Sequence, residues 1–149
     1  MSSAGKTPSA LEDPRPSAKT TLAVLWVALM FLYAYADILG FYRAENVEGV
    51  LAGELGGVEV TPVLLVGSAI LMTVPIAMIV LSLTLRASPN RWLNLIVGVV
   101  YGVVLGVTVA SGEVSENTAY YLLIAAAEAV VLALILWRAW RWPTGERRT

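Results

Sequence analysis

The sequence predicts an all-α membrane protein: four transmembrane helices in an antiparallel up-down bundle, with both termini on the cytoplasmic side. Three observations carry that prediction. Apolar stretches occupy residues 21–42, 62–85, 92–110 and 119–137, each about 20 residues and long enough to cross a hydrocarbon core of about 30 Å. Hydrophobic residues fill 58% of the 149 positions, which leaves too little polar surface to cover a water-soluble domain. The basic residues alternate with the spans. Lys6, Arg15 and Lys19 precede the first span, Arg86 and Arg91 separate the second from the third, and Arg138, Arg141, Arg147 and Arg148 follow the fourth. Those regions share one side of a four-span chain and hold nine of its ten Lys and Arg residues. The other side has Arg43 among Glu45, Glu48, Glu54, Glu59, Glu113 and Glu116. The positive-inside rule assigns the basic side to the cytoplasm.

Residues 1–20, rich in Ser, Ala, Pro and Lys, read as a disordered cytoplasmic tail. The first span ends in the bulky run Asp37-Ile38-Leu39-Gly40-Phe41-Tyr42, which has no small-residue cleavage site and therefore reads as a retained helix. Between Arg43 and Thr61 lies the one sizeable polar segment. Its Val47, Val50, Leu51, Leu55 and Val58 recur at helical spacing, so a short amphipathic helix on the membrane surface is one reading. An irregular acidic loop, broken by Gly49, Gly53, Gly56 and Gly57, is the other. Thr61-Pro62 supplies a capping hydroxyl and a first-turn proline for the second span. Ser88-Pro89-Asn90 reads as a tight turn that makes the second and third spans antiparallel neighbours. Glu116-Asn117-Thr118 offers caps to the fourth span. Trp92, Trp137, Trp140 and Trp142 mark one membrane interface, and Tyr42, Tyr120 and Tyr121 the other. Residues 143–149 form a second cytoplasmic tail.

Lipid tails are as apolar as leucine, so membrane helices associate through close packing and interhelical hydrogen bonds. The third span carries Gly98, Gly102 and Gly106 at steps of four, with Asn94 before and Ala110 after. The fourth repeats that spacing with Ala125, Ala129 and Ala133. The two smooth faces are expected to pack together, the rival being that the glycine ridge meets a second copy of the chain.

Glu128 is the sharpest polar feature. It lies nine residues into the fourth span, about 14 Å deep and close to mid-membrane. A charge there costs at least about 2.5–3.5 kcal/mol, so the neutral, hydrogen-bonded acid is expected. Depth counting brings Tyr33, Thr73 and Tyr101 to the same layer, and Pro75 frees the carbonyl of Leu71 beside them. This layer reads as glue that sets helix register, in preference to a proton or cation relay. Asp37 lies about one turn inside the first span and reads as an outer-mouth carboxylate that can reach water, the alternative being that it and Glu128 mark a path from outside to mid-membrane. A depth difference of about 7 Å argues against a direct pair with Glu128. Asn90 and Asn94 read as turn and interface residues.

Several kinds of chemistry are excluded. The chain has neither cysteine nor histidine, which removes disulfides, thiol nucleophiles, imidazole acid–base catalysis and ordinary zinc sites. No phosphate-binding glycine loop is present, nor a basic stripe interleaved with aromatics, so neither a nucleotide nor a nucleic-acid partner is expected. No cofactor or enzymatic activity is expected either, and a carboxylate-only magnesium or calcium site has no clustered motif behind it, so no metal is assigned.

The series Leu25-Trp26, Tyr33-Ala34-Tyr35-Ala36-Asp37, Thr61-Pro62, Leu71-Met72, Pro75-Ile76-Ala77-Met78 and Asn90-Arg91-Trp92-Leu93-Asn94, followed by Tyr120-Tyr121, Glu128 and the Trp137–Pro143 run, resembles a family of small bacterial four-helix membrane proteins known only as a domain of unknown function. The order and spacing of these residues carry the likeness, over about residues 21–143. The resemblance implies the fold and a multi-pass location in the bacterial inner membrane, and no activity. The expected function is accordingly a structural or accessory membrane protein, with the lipid bilayer and a second copy or another membrane protein as partners. The alternative is a small proton- or cation-coupled transporter with Glu128 as its titrating site.

Overall fold

The computed structural model describes residues 16–55, 57–111 and 119–143. Most of the first tail, the Glu116-Asn117-Thr118 cap and the final residues of the second tail lie outside them. Among the described residues the elements run α1 (Ala18–Gly40), α2 (Ala44–Leu51), β1 (Glu54–Leu55), β2 (Val58–Glu59), α3 (Pro62–Thr84), α4 (Ala87–Ser111) and α5 (Ala119–Trp140). α1, α3, α4 and α5 are each long and apolar enough to cross a membrane, and they pack as an antiparallel bundle. One end carries the α3–α4 connection and is called the basic end. The opposite end carries α2 and the β1–β2 hairpin and is called the loop end.

The helix boundaries follow their caps. α1 begins inside the expected tail because the Ser17 hydroxyl accepts the Thr20 N–H at 3.1 Å and stops the helix there. Lys19 therefore sits on the helix, and its ammonium donates to the Leu83 carbonyl at 3.3 Å, satisfying a group near the C-terminus of α3. At the start of α3 the Thr61 hydroxyl accepts the Leu64 N–H at 3.2 Å, with Pro62 in the first turn. Ser88-Pro89-Asn90 is not a turn. Helix α4 starts at Ala87, so these three residues form its first turn, where a proline removes no intrahelical hydrogen bond. The link between α3 and α4 shrinks to Leu85 and Arg86.

That short link does not make α3 and α4 the closest pair. Their backbones stand further apart than those of α1 and α3, α1 and α5, or α4 and α5. Side chains from α4 fill the difference. Asn90 and Asn94, expected at the surface, are completely buried with Ser82. The Trp26 indole donates to Asn94 Oδ1 at 2.7 Å, and Asn94 Nδ2 donates to Asn90 Oδ1 at 2.8 Å and to the Asn90 carbonyl at 2.9 Å. Asn90 Nδ2 in turn donates to the Ser82 carbonyl at 2.6 Å. Three helices are joined by one satisfied polar network. A buried amide needs such partners, and burial is the reason the two asparagines are not interface residues.

Around this network lies the core: Leu22, Trp26 and Leu29 of α1, Met78 of α3, Tyr101 of α4, and Leu132, Ile135 and Ala139 of α5. The glycine ridge joins it at one position. A Cβ built on Gly98 would come within 2.9 Å of Leu136 Cδ2 on α5, whereas at Gly102 and Gly106 it would meet nothing within 4 Å. Ala129 and Ala133 are also exposed. The expected match of two small-residue faces is thus corrected to one close contact. Helix α5 turns Ala125, Glu128, Leu132, Ile135 and Ala139 inward, a stripe rotated away from its alanine row. At the basic end the Arg91 guanidinium lies 5.9 Å from the Trp92 ring and 5.8 Å from the Trp140 ring, tying α4 to α5.

The polar segment at the loop end is helical over Ala44–Leu51 alone; Leu55 and Val58, expected on the same helix, pair across the β1–β2 hairpin instead. Helix α2 has no buried residue; Arg43 pairs with Glu45 at 2.7 Å, and Asn46 Nδ2 donates to the Gly40 carbonyl at 3.0 Å. Strands β1 and β2 form a minimal antiparallel hairpin, with Gly53 and Gly57 at φ of 81° and 77°, where a Cβ would be strained.

Candidate functional site

Tyrosine and proline chemistry position the middle of the bundle. Pro75 has no N–H, so the Leu71 carbonyl lacks its helical donor. The Tyr101 hydroxyl supplies one from α4, a direct hydrogen bond across the α3–α4 gap. The Tyr101 ring meets Trp26 edge-on at 6.0 Å on one side and stacks near Tyr33 at 6.5 Å on the other. This aromatic column runs from the asparagine network up to a cavity.

The cavity has a volume of about 150 Å³ and takes walls from all four long helices. Tyr33 and Asp37 come from α1, Leu71 from α3, Thr108 from α4, and Tyr121 and Glu128 from α5. Asp37 is exposed, whereas Glu128 is only 7% exposed, so the cavity leads from the surface to a buried acid. Among the described residues no hydrogen bond reaches the Glu128 carboxyl. Asp37 and Glu128 therefore share one cavity without a direct bond between them.

The expected polar layer assembles in part. Glu128, Tyr33 and Tyr101 come together, as the depth count implies. Thr73 does not join them: it is exposed, and its hydroxyl donates to the Ala69 carbonyl of its own helix at 2.7 Å. The buried stripe of α3 passes through Pro75, Met78 and Ser82. A residue two positions before Pro75 points to the other side of the helix. Equal depth did not mean equal facing.

Tyr121, expected at the membrane interface, lines the cavity instead. Its separation of seven residues from Glu128, two helical turns on one face, is the signal that could have placed it. A larger hollow of about 420 Å³ lies at the loop-end surface, lined by Tyr42, Arg43, Glu45 and Tyr120 among others. Its two charged groups already pair with each other, so the smaller cavity is the stronger candidate. Among the described residues no cluster of three or more His, Cys, Asp or Glu could hold a metal ion.

Four long apolar helices joined by short links, with polar groups turned inward, define a multi-pass membrane protein of the helix-bundle class. The chain belongs to the family of unknown function DUF6326, whose model matches residues 13–149. No curated protein and no solved structure matches it.

Proposed function

We propose that the protein is a small membrane carrier whose working group is Glu128, which takes up a proton or a small cation from the loop-end cavity. One observation carries this reading: a carboxyl that is 7% exposed, borders a cavity and has no hydrogen bond among the described residues. An acid kept for helix register would be satisfied by its neighbours, whereas the Glu128 oxygens find no protein partner among the described residues and open onto the cavity instead. The Trp26–Asn94–Asn90–Ser82 network already provides that polar glue, and it is fully bonded. The distribution of Lys and Arg supports a cytoplasmic basic end, with the cavity mouth on the opposite side of a bacterial inner membrane. In this reading lipid is the main partner, nucleic acid is not one, and no covalent chemistry is performed.

The test is reconstitution into proteoliposomes with an imposed pH gradient. Wild type is expected to move protons or a cationic solute, and Glu128→Gln, which keeps size and insertion, is expected to abolish that flux. Equal behaviour of the two proteins would return the assignment to a structural or accessory role. That second reading has its own support in the open faces of Gly102 and Gly106, where a partner helix could approach closely. Reporters fused to the two ends are expected to read cytoplasmic, and a reporter on the far side at either end would break the four-span topology.

A further inference from the structure

The same cavity carries the chemistry of its occupant, and the inference that follows rests on the carrier reading above. Among the described residues the acidic groups of the wall are Asp37 at the mouth and Glu128 at depth, and no Lys or Arg lines it. Arg43, the basic residue nearest the loop end in sequence, is already paired with Glu45. Two tyrosine rings, Tyr33 and Tyr121, and the hydroxyl-bearing Thr108 also line the wall. Among the described residues the groups facing Glu128 are Tyr33 and Asp37 from α1, Thr108 and, through its stack on Tyr33, Tyr101 from α4, and Tyr121 on its own helix; α3 contributes the apolar Leu71 and Met72. The volume of about 150 Å³ equals that of roughly five water molecules at about 30 Å³ each.

Carboxylates without a basic counterion select a cation. A divalent metal is a poor fit, because it needs six or more oxygen ligands or a cluster of carboxylates, and among the described residues no such cluster exists. Aromatic faces and apolar side chains suit a cation that carries alkyl groups and sheds water readily. We propose that this cavity binds a small monovalent alkylammonium ion, with its charge held by the ionised Glu128 carboxylate, its alkyl groups against Tyr33 and Tyr121, and Asp37 attracting it at the mouth. Binding and protonation of Glu128 exclude each other. When the acid is protonated, cation entry releases that proton, and affinity falls as pH falls.

Calorimetric titration of the purified protein in a maltoside detergent tests this, with choline as the probe and 3,3-dimethyl-1-butanol as its uncharged carbon isostere. Choline is expected to bind, more weakly at lower pH, with a proton released as judged from buffers of different ionisation enthalpy. The isostere is expected not to bind. Glu128→Gln should lower choline affinity by about 10–100-fold, and Tyr121→Leu by about fivefold through loss of a cation–π face. Asp37→Asn, at an exposed position where folding is not at stake, should slow association and steepen the loss at high salt less than wild type. The inference is overturned if choline does not bind, if the isostere binds equally well, or if Glu128→Gln binds choline as wild type does. Flux that depends on Glu128 without choline binding would sink the alkylammonium assignment and leave the carrier reading standing. Absence of both would sink the two together.

Discussion

From mid-bundle to the basic end, each long helix contributes a side chain with essentially no exposure: Trp26, Met78, Asn94 and Ile135. Towards the loop end nothing on α3 from Pro62 to Val74 is buried, nor on α4 from Gly102 to Ala110, nor on α1 beyond Leu29. Both halves bring polar groups into an apolar interior and treat amide and acid differently, although Arg91 Nε in the basic half is itself buried without a hydrogen-bond partner among the described residues. The basic half gives its amides and indole complete hydrogen bonding, which holds three helices together. The loop half leaves a carboxyl facing open space. Membrane helices gain nothing from hydrophobic exclusion of water between them, so packing and hydrogen bonds hold them together. The half that has both is the scaffold, and the half that lacks them has room for a ligand.

Three pairs of substitutions, one member in each half, and a single variant between the halves probe that contrast. Trp26→Ala removes the largest buried side chain and an indole donor, and is expected to cost about 3–5 kcal/mol. Phe31→Ala, 60% exposed, should stay within about 0.5 kcal/mol of wild type. Denaturant melts in mixed micelles measure both, and similar losses would mean that the loop half is packed after all. Next comes Gly98→Leu, which must displace Leu136 and should cost about 1–3 kcal/mol. Gly102→Leu has open space and should change thermal stability in detergent by no more than about 0.5 kcal/mol. Strong destabilisation at Gly102 would instead reveal a partner helix on that face.

A smaller effect is expected from Asn94→Leu. It leaves the Trp26 N–H and the Asn90 side-chain oxygen without their partners, while Asn90 Nδ2 keeps the Ser82 carbonyl, and about 1–2 kcal/mol should be lost. Thr73→Val removes only a bond within one helix turn and should be near neutral. Equal melting of those two variants would deny the asparagine network its role as glue. The smallest change is Tyr101→Phe, at about 0.6 kcal/mol, the average for an interhelical hydrogen bond in a bundle of this kind. Its signature is local: hydrogen exchange should rise around Leu71 and Pro75, while the Asn94 region stays protected.

Some of this was legible in the residues alone. Four spans, the Thr61-Pro62 start of α3 and the Leu71 carbonyl released by Pro75 all follow from covalent chemistry and hydropathy along the chain. Glu128 was legible as a buried acid because its depth depends only on its distance from the helix end. Other features were decided by tertiary structure: the outward facing of Thr73, the burial of Asn90 and Asn94, the openness of Gly102 and Gly106, and the cavity shared by Asp37 and Glu128. The physical reason is the solvent. In water an amphipathic helix declares its inner face by polarity, but lipid and protein core are equally apolar, so a leucine or glycine reads the same on either side. Hydropathy therefore set how deep each residue lies, and only the packing of four helices against one another set which way it turns.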